Sequence, residues 1–166
     1  MDLFASNYID QFEHLLERMR VLPHVAALAF AYVLALPIGW DRERHERSAG
    51  LRTFPLVAVA ACGFVQATES IAGTSPEAQA RIIEGLITGI GFIGGGAIIK
   101  QGGAVQGTAT AAGLWATGAI GAAVGLGSHD VAIVVALFTI ATFRFLSPLK
   151  DQATPGDDIG PPQHGE

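Results

Sequence analysis

With 166 residues, half of them hydrophobic and only 15% charged, the chain lacks the charged surface of a soluble domain, which carries roughly 25%. Its formal net charge of −5 argues against a nucleic-acid partner. The one cysteine, Cys62, lies in an apolar run and excludes both an intrachain disulfide and a cysteine-rich metal site.

The first 20 residues hold four acids and no basic stretch ahead of an apolar core, unlike a cleavable signal peptide. Tyr8, Ile9, Phe12, Leu15, Leu16 and Met19 recur at helical spacing, opposite Asp10, Glu13, Glu17 and Arg18. Residues 1–20 are therefore expected to form an amphipathic helix on the membrane surface or, alternatively, an arm packed on its own protein. Five apolar stretches follow, at 22–40, 53–72, 82–99, 108–126 and 131–149, each near the roughly 20 residues that a bilayer-crossing helix needs. Pro23 suits a first helical turn, and Trp40 suits an interfacial belt. Between Lys100 and Asp130 lie 29 uncharged residues, too many for one simple helix, so Gly102, Gly103 and Gly107 place a turn at Gln101–Gly107. Residues 150–166 are Pro, Gly, Asp and Gln with almost nothing apolar, which predicts a disordered polar tail. The expected fold is thus all-α, a polytopic membrane bundle of about five transmembrane helices over residues 21–149 with close, glycine-rich packing.

Lys and Arg in short loops set the orientation. With five spans, one side holds Arg42, Arg44, Arg47, Arg52, Lys100, Arg144 and Lys150, and the other holds Arg18, Arg20 and Arg81. Seven against three places the N-terminus outside and the C-terminus in the cytoplasm.

Gly89-Ile90-Gly91-Phe92-Ile93-Gly94 spells the G-x-G-x-x-G of dinucleotide-binding turns. That motif works only between a strand and a helix, with an acid about 20 residues on, and here it lies in an apolar helical stretch followed by Thr and Ala. Close helix packing is the better reading. Gly85 and Gly89, Gly91 and Gly95, and Gly121 and Gly125 are each four apart, giving small-residue faces that let backbones approach within one chain or between copies.

Polar residues at membrane depth are costly and each invites a function. Cys62, Gln66 and Glu69 share a face of the second stretch, Glu84 and Thr88 one of the third, and Thr110, Gly113, Thr117 and Gly121 one of the fourth. These faces could line a common interior, although for the threonines the blander reading is preferred. The bland readings are that the threonines bond back to their own helix carbonyls and that Arg81 pairs with Glu84. Asp41 to Arg47 make the densest charged element, and topology alone would account for a solvated loop there.

Gly39-Trp40-Asp41-Arg42-Glu43 is followed by Ala49-Gly50-Leu51-Arg52-Thr53 and Leu56-Val57. Further on come Arg81, Thr88-Gly89-Ile90-Gly91-Phe92-Ile93-Gly94, Val105-Gln106-Gly107 and Thr110-Ala111-Ala112-Gly113-Leu114-Trp115, then Gly121 and Gly125-Leu126-Gly127. In order and spacing, over roughly residues 25–146, this resembles the MgtC/SapB family of bacterial inner-membrane proteins. Asp41 stands where the family usually has Glu, Gly85 where a Gln is usual, and Thr108 and Ala109 in a segment usually read Thr/Asn-Thr. Virulence-type members carry a soluble C-terminal domain, and the 17-residue polar tail here is expected to mark a short member. The resemblance implies a link to growth at low magnesium or to survival inside host cells, with regulation of membrane partners rather than magnesium movement. It makes Asp41, Arg42, Glu43, Arg52 and Thr53 candidate functional residues, beside Glu84, Thr88 and Thr110.

Five scattered histidines (His14, His24, His45, His129 and His164) have no ligand spacing, and Ser48 has no base at a recognisable offset. No enzyme activity and no cofactor is expected. The leading expectation is a non-enzymatic membrane regulator whose partners are the bilayer and other membrane proteins or further copies of itself. The rival is a small oligomeric cation or solute transporter or channel, with Gln66, Glu69, Glu84, Thr88 and Thr110 along its path.

Overall fold

A computed structural model describes residues 21–44, 49–72, 75–101 and 104–146. The expected amphipathic segment 1–20, the tail 150–166 and residues 45–48 lie outside these.

Five helices and one short hairpin make up the described chain. Helix α1 spans Val21–Arg44, with Pro23 in its first turn and Pro37 inside it, just before the Gly39–Glu43 motif. Helix α2, Thr53–Ala72, starts where the Gly50 carbonyl accepts the amides of Thr53 and Phe54 at 3.0 and 3.1 Å. Helix α3, Pro76–Gly96, opens on Pro76, whose missing N–H has no helical partner to lose, and ends in a run of three glycines. Strands β1 (Ile99–Gln101) and β2 (Ala104–Gln106) pair antiparallel, Lys100 opposite Val105. Helix α4, Thr108–Gly125, and helix α5, His129–Ala141, complete the set, and α5 runs on into one π-helical turn, Thr142–Leu146.

Gly107 joins the hairpin to α4 with φ of 87°, and a Cβ there would overlap the Ala97 carbonyl oxygen. Only glycine meets both demands, left-handed backbone and close approach, so the hairpin is pinned against the end of α3.

Helix α4 is the hub, packing on all four other helices, most extensively on α2. The interior is built largely from small residues: Ala31, Ala35, Ala58, Ala61, Gly113, Gly118, Gly121 and Gly125 are buried, with Phe54, Ile38, Leu114 and Ile120 among the few large ones. Large apolar side chains instead cover the outside, among them Leu22, Val33, Leu56, Phe64, Phe92, Leu137, Phe138 and Phe145.

The all-helical expectation holds apart from the hairpin, which replaces the simple turn expected at Gln101–Gly107. The third stretch begins at Pro76 rather than residue 82 and stops at Gly96, so Ile99 belongs to a strand. By length and composition, two helical stretches suffice to cross a membrane, Val21–Arg44 and His129–Leu146. Helix α2 carries a shorter apolar run, Thr53–Glu69. The glycines and threonines of α4, and Arg81 and Glu84 of α3, lower the hydropathy of those two helices.

Candidate functional site: a charged corner

The last turn of α1 carries Asp41, Arg42, Glu43 and Arg44, and the chain returns through Ala49 to Arg52 into α2. Glu43 closes this corner, its Oε2 accepting the Leu51 amide at 3.0 Å. A Cβ on Gly50 would overlap that carboxylate, and a Cβ on Gly39 would lie 3.1 Å from the Gly50 carbonyl oxygen and the Leu51 Cα. The two glycines of the motif therefore let the returning backbone lie directly against α1.

Arg42 turns inward. It is only 3% exposed, its Nε is shielded from solvent, and its guanidinium carbon sits 4.4 Å from the ring centre of Phe143 in the π turn. A cation over an aromatic face in a desolvated place is worth about 2 kcal/mol. The same Phe143 ring fills the space over Gly113 of α4, where a Cβ would come within 2.6 Å of its Cζ and 3.0 Å of Cε1 of Phe54. One guanidinium and two rings thus tie the ends of α1, α2, α4 and α5 together. Asp41 is half-buried, with Oδ2 shielded. By contrast Arg44 lies over Trp40, 5.2 Å from its ring centre, on the exposed side.

Of the other candidates, Arg52 is exposed, Thr53 half-buried and Thr110 almost fully buried, all at this end of the bundle. Glu84 and Thr88 sit on the exposed side of α3, near its middle. The Thr88 hydroxyl donates to the Glu84 carbonyl at 2.9 Å, and Thr117 does the same to Gly113 at 2.8 Å, so these two hydroxyls are satisfied by their own helices. Gln66 and Glu69 line an open groove of about 590 Å³ with His129, whose ring lies 5.5 Å from that of Phe30. Glu84, Thr88 and Thr110 do not line that groove, so the three faces do not share one polar interior within the described chain. Among the described residues no three His, Cys, Asp or Glu side chains are grouped to hold a metal.

The glycines divide. Gly121 lies against α2, where a Cβ would overlap the Ala58 carbonyl, and at Gly125 a Cβ would lie 2.7 Å from Val65 Cβ and 3.0 Å from the Cys62 carbonyl oxygen. Around Gly85, Gly89, Gly91 and Gly95 an added Cβ meets nothing within 4 Å. Packing of these four within the chain is corrected accordingly: α3 touches α4 instead through Gly94, where a Cβ would lie 3.4 Å from the Ala111 carbonyl oxygen, and through Ile90 over Gly118. Sequence reasoning missed Phe54, Phe143 and Gly118. The stripe Gly113, Thr117, Gly121 was the available sign that α4 has neighbours at close range, but nothing in it names them.

The sequence profile of the MgtC family matches residues 28–152. The chain is 43% identical over 129 residues to Protein MgtC of Brucella abortus, covering 77% of this chain and 53% of that protein. It is 38% identical over 124 residues to Protein MgtC of Salmonella typhimurium, covering 75% and 52%. The chain thus aligns with about half the length of these curated relatives. No solved structure matches it. The profile match takes in the charged corner, the glycine-rich helix and the buried stripe of α4 alike, and this chain belongs to the MgtC family.

Proposed function

We propose that this chain is a non-enzymatic, multi-pass protein of the bacterial inner membrane that regulates other membrane proteins, with the charged corner as its working part. All five helices cross the bilayer in this reading, the N-terminus outside and the corner at the cytoplasmic face. What supports the membrane setting is the inverted surface: large apolar side chains outside, alanine and glycine inside. Lipid is as apolar as leucine, so burying large side chains gains little there, whereas close backbone contact does. The link to magnesium limitation rests on the family resemblance.

The single observation that carries the regulatory reading is Arg42 folded under the bundle against Phe143. Arginines that only fix topology need to reach water, and an orientation signal has no use for carboxylates. Here the charges are interlocked with four helix ends, so a partner touching the corner is coupled to the packing of the whole bundle. A growth test in limiting magnesium checks this: Asp41→Asn, Arg42→Gln and Arg52→Gln are expected to abolish complementation while the protein still inserts, and Arg44→Glu to be tolerated. Equal, mild effects at all four positions would reduce the corner to a topology signal. The transporter reading is tested separately by cation flux into vesicles holding the purified protein, where no flux above empty vesicles is expected.

A further inference from the structure

Helix α3 turns most of its polar and small residues away from its own bundle. Glu84, Thr88, Gly91 and Gly95, spaced by four, three and four, form one exposed line, with Arg81 beside its start. Gly85, Gly89 and Phe92 form a second row on the same outer side, and Phe92 stands out with 84% of its surface exposed. Beside that row runs an apolar groove of about 400 Å³ between α3 and α2, its walls including Gly85, Gly89 and Ile93. A projecting ring, an apolar slot one turn away, a cation and an anion thus lie together on one helix.

We infer that this side of α3 is the contact between two copies of the chain, related by a two-fold axis along the membrane normal. A two-fold contact requires one patch to be complementary to itself, which a knob beside a hole and a cation beside an anion provide. Copies inserted with one topology place their α3 helices parallel. Each Phe92 then enters the slot beside Gly89 of the other copy, each Arg81 reaches the other's Glu84, and Gly91 and Gly95 allow the backbones to approach. Lipid fits this side poorly, since it supplies no partner for a carboxylate at that depth. The inference rests on the membrane reading above and specifies self-association as its consequence.

The chain's own thiol makes the test clean, because Cys62 is fully buried. Thr88→Cys and Gly91→Cys are oxidised in native membranes, with the parent and Phe138→Cys, a 72% exposed site on α5, as controls. Disulfide-linked species of twice the chain mass are expected at positions 88 and 91 and not in the controls. In detergent, Phe92→Ala is expected to weaken dimerisation at least about tenfold, as truncation of a central aromatic anchor does. Equal cross-linking at position 138, adducts of any other mass, or unchanged association of Phe92→Ala overturns the interface. Carbonate extraction separates the two claims: a parent chain released from membranes overturns the membrane reading and the interface with it. A parent retained while Thr88→Cys and Gly91→Cys fail to cross-link overturns the interface alone.

Discussion

Helices α3 and α4 are both rich in glycine at four-residue spacing, yet the two use it oppositely. In α4, Gly113, Gly118, Gly121 and Gly125 leave room for Phe143, Ile90, the Ala58 carbonyl and Val65, and a methyl group at any of them collides. In α3, Gly85, Gly89, Gly91 and Gly95 face open space. A small-residue period therefore marks a face that permits close approach, and only the fold decides whether the approach is made inside the chain. Helix α4 packs on all four other helices, with Ala112, Trp115 and Ala119 on its one exposed face, whereas α3 stands between two grooves, of about 400 and 290 Å³.

The sharpest way to break this comparison is Gly121→Val. The added carbons meet backbone, which cannot step aside as a side chain would, so a loss of about 3 kcal/mol is expected. It is read as a lowered unfolding midpoint in mild detergent, and an unchanged midpoint would mean that α4 is not the hub. Next comes Arg42→Ala, expected to cost about 2 kcal/mol through the lost stack on Phe143. Arg42→Lys should recover only part of it, because the planar guanidinium is gone. Glu43→Ala, which removes the acceptor for the Leu51 amide, should cost about 1 kcal/mol, and Glu43→Gln, which keeps an acceptor oxygen, less. Smallest, and opposite in sign, is Gly95→Ala, measured in detergent at a dilution that keeps copies of the chain apart. With free space around it, the methyl group should raise stability by about 0.5 kcal/mol through helix propensity. A loss there would place Gly95 in a tight internal contact and erase the contrast.

How far the fold was legible follows the same divide. Helices α1, α2 and α4 were readable to within a few residues because their borders carry charge, Pro or Gly next to an uninterrupted apolar run. The start of α3 was not, since its first turns, Pro76 to Arg81, are polar and read as a loop until Pro76 is recognised as a first-turn residue. The hairpin was overlooked for a similar reason: Gly102-Gly103 between short runs with alternating polarity is a two-residue hairpin signature, but glycine was read only as a helix breaker. At the corner, the motif itself pointed to Asp41, Arg42, Glu43 and Arg52. What it did not contain was Phe143, a hundred residues downstream, which meets Arg42 only because α5 packs on α1 and α4. Thr88 and Thr117 bond to their own helices, the reading preferred for the threonines, since a hydroxyl four residues from a helical carbonyl has that partner within reach whatever the fold.

The π turn at Thr142–Leu146 has an implication for how this family can vary. Such a turn holds one residue more than an α-helical turn of the same height, and Phe143 is its second residue. Deleting Thr142, which directly precedes Phe143, would turn that ring by about 100° about the helix axis relative to α5. Whether Arg42 has a ring to rest on is thus governed by chain length in one turn as much as by which side chains are present. A deletion too small to disturb the hydropathy profile would take the ring away from Arg42.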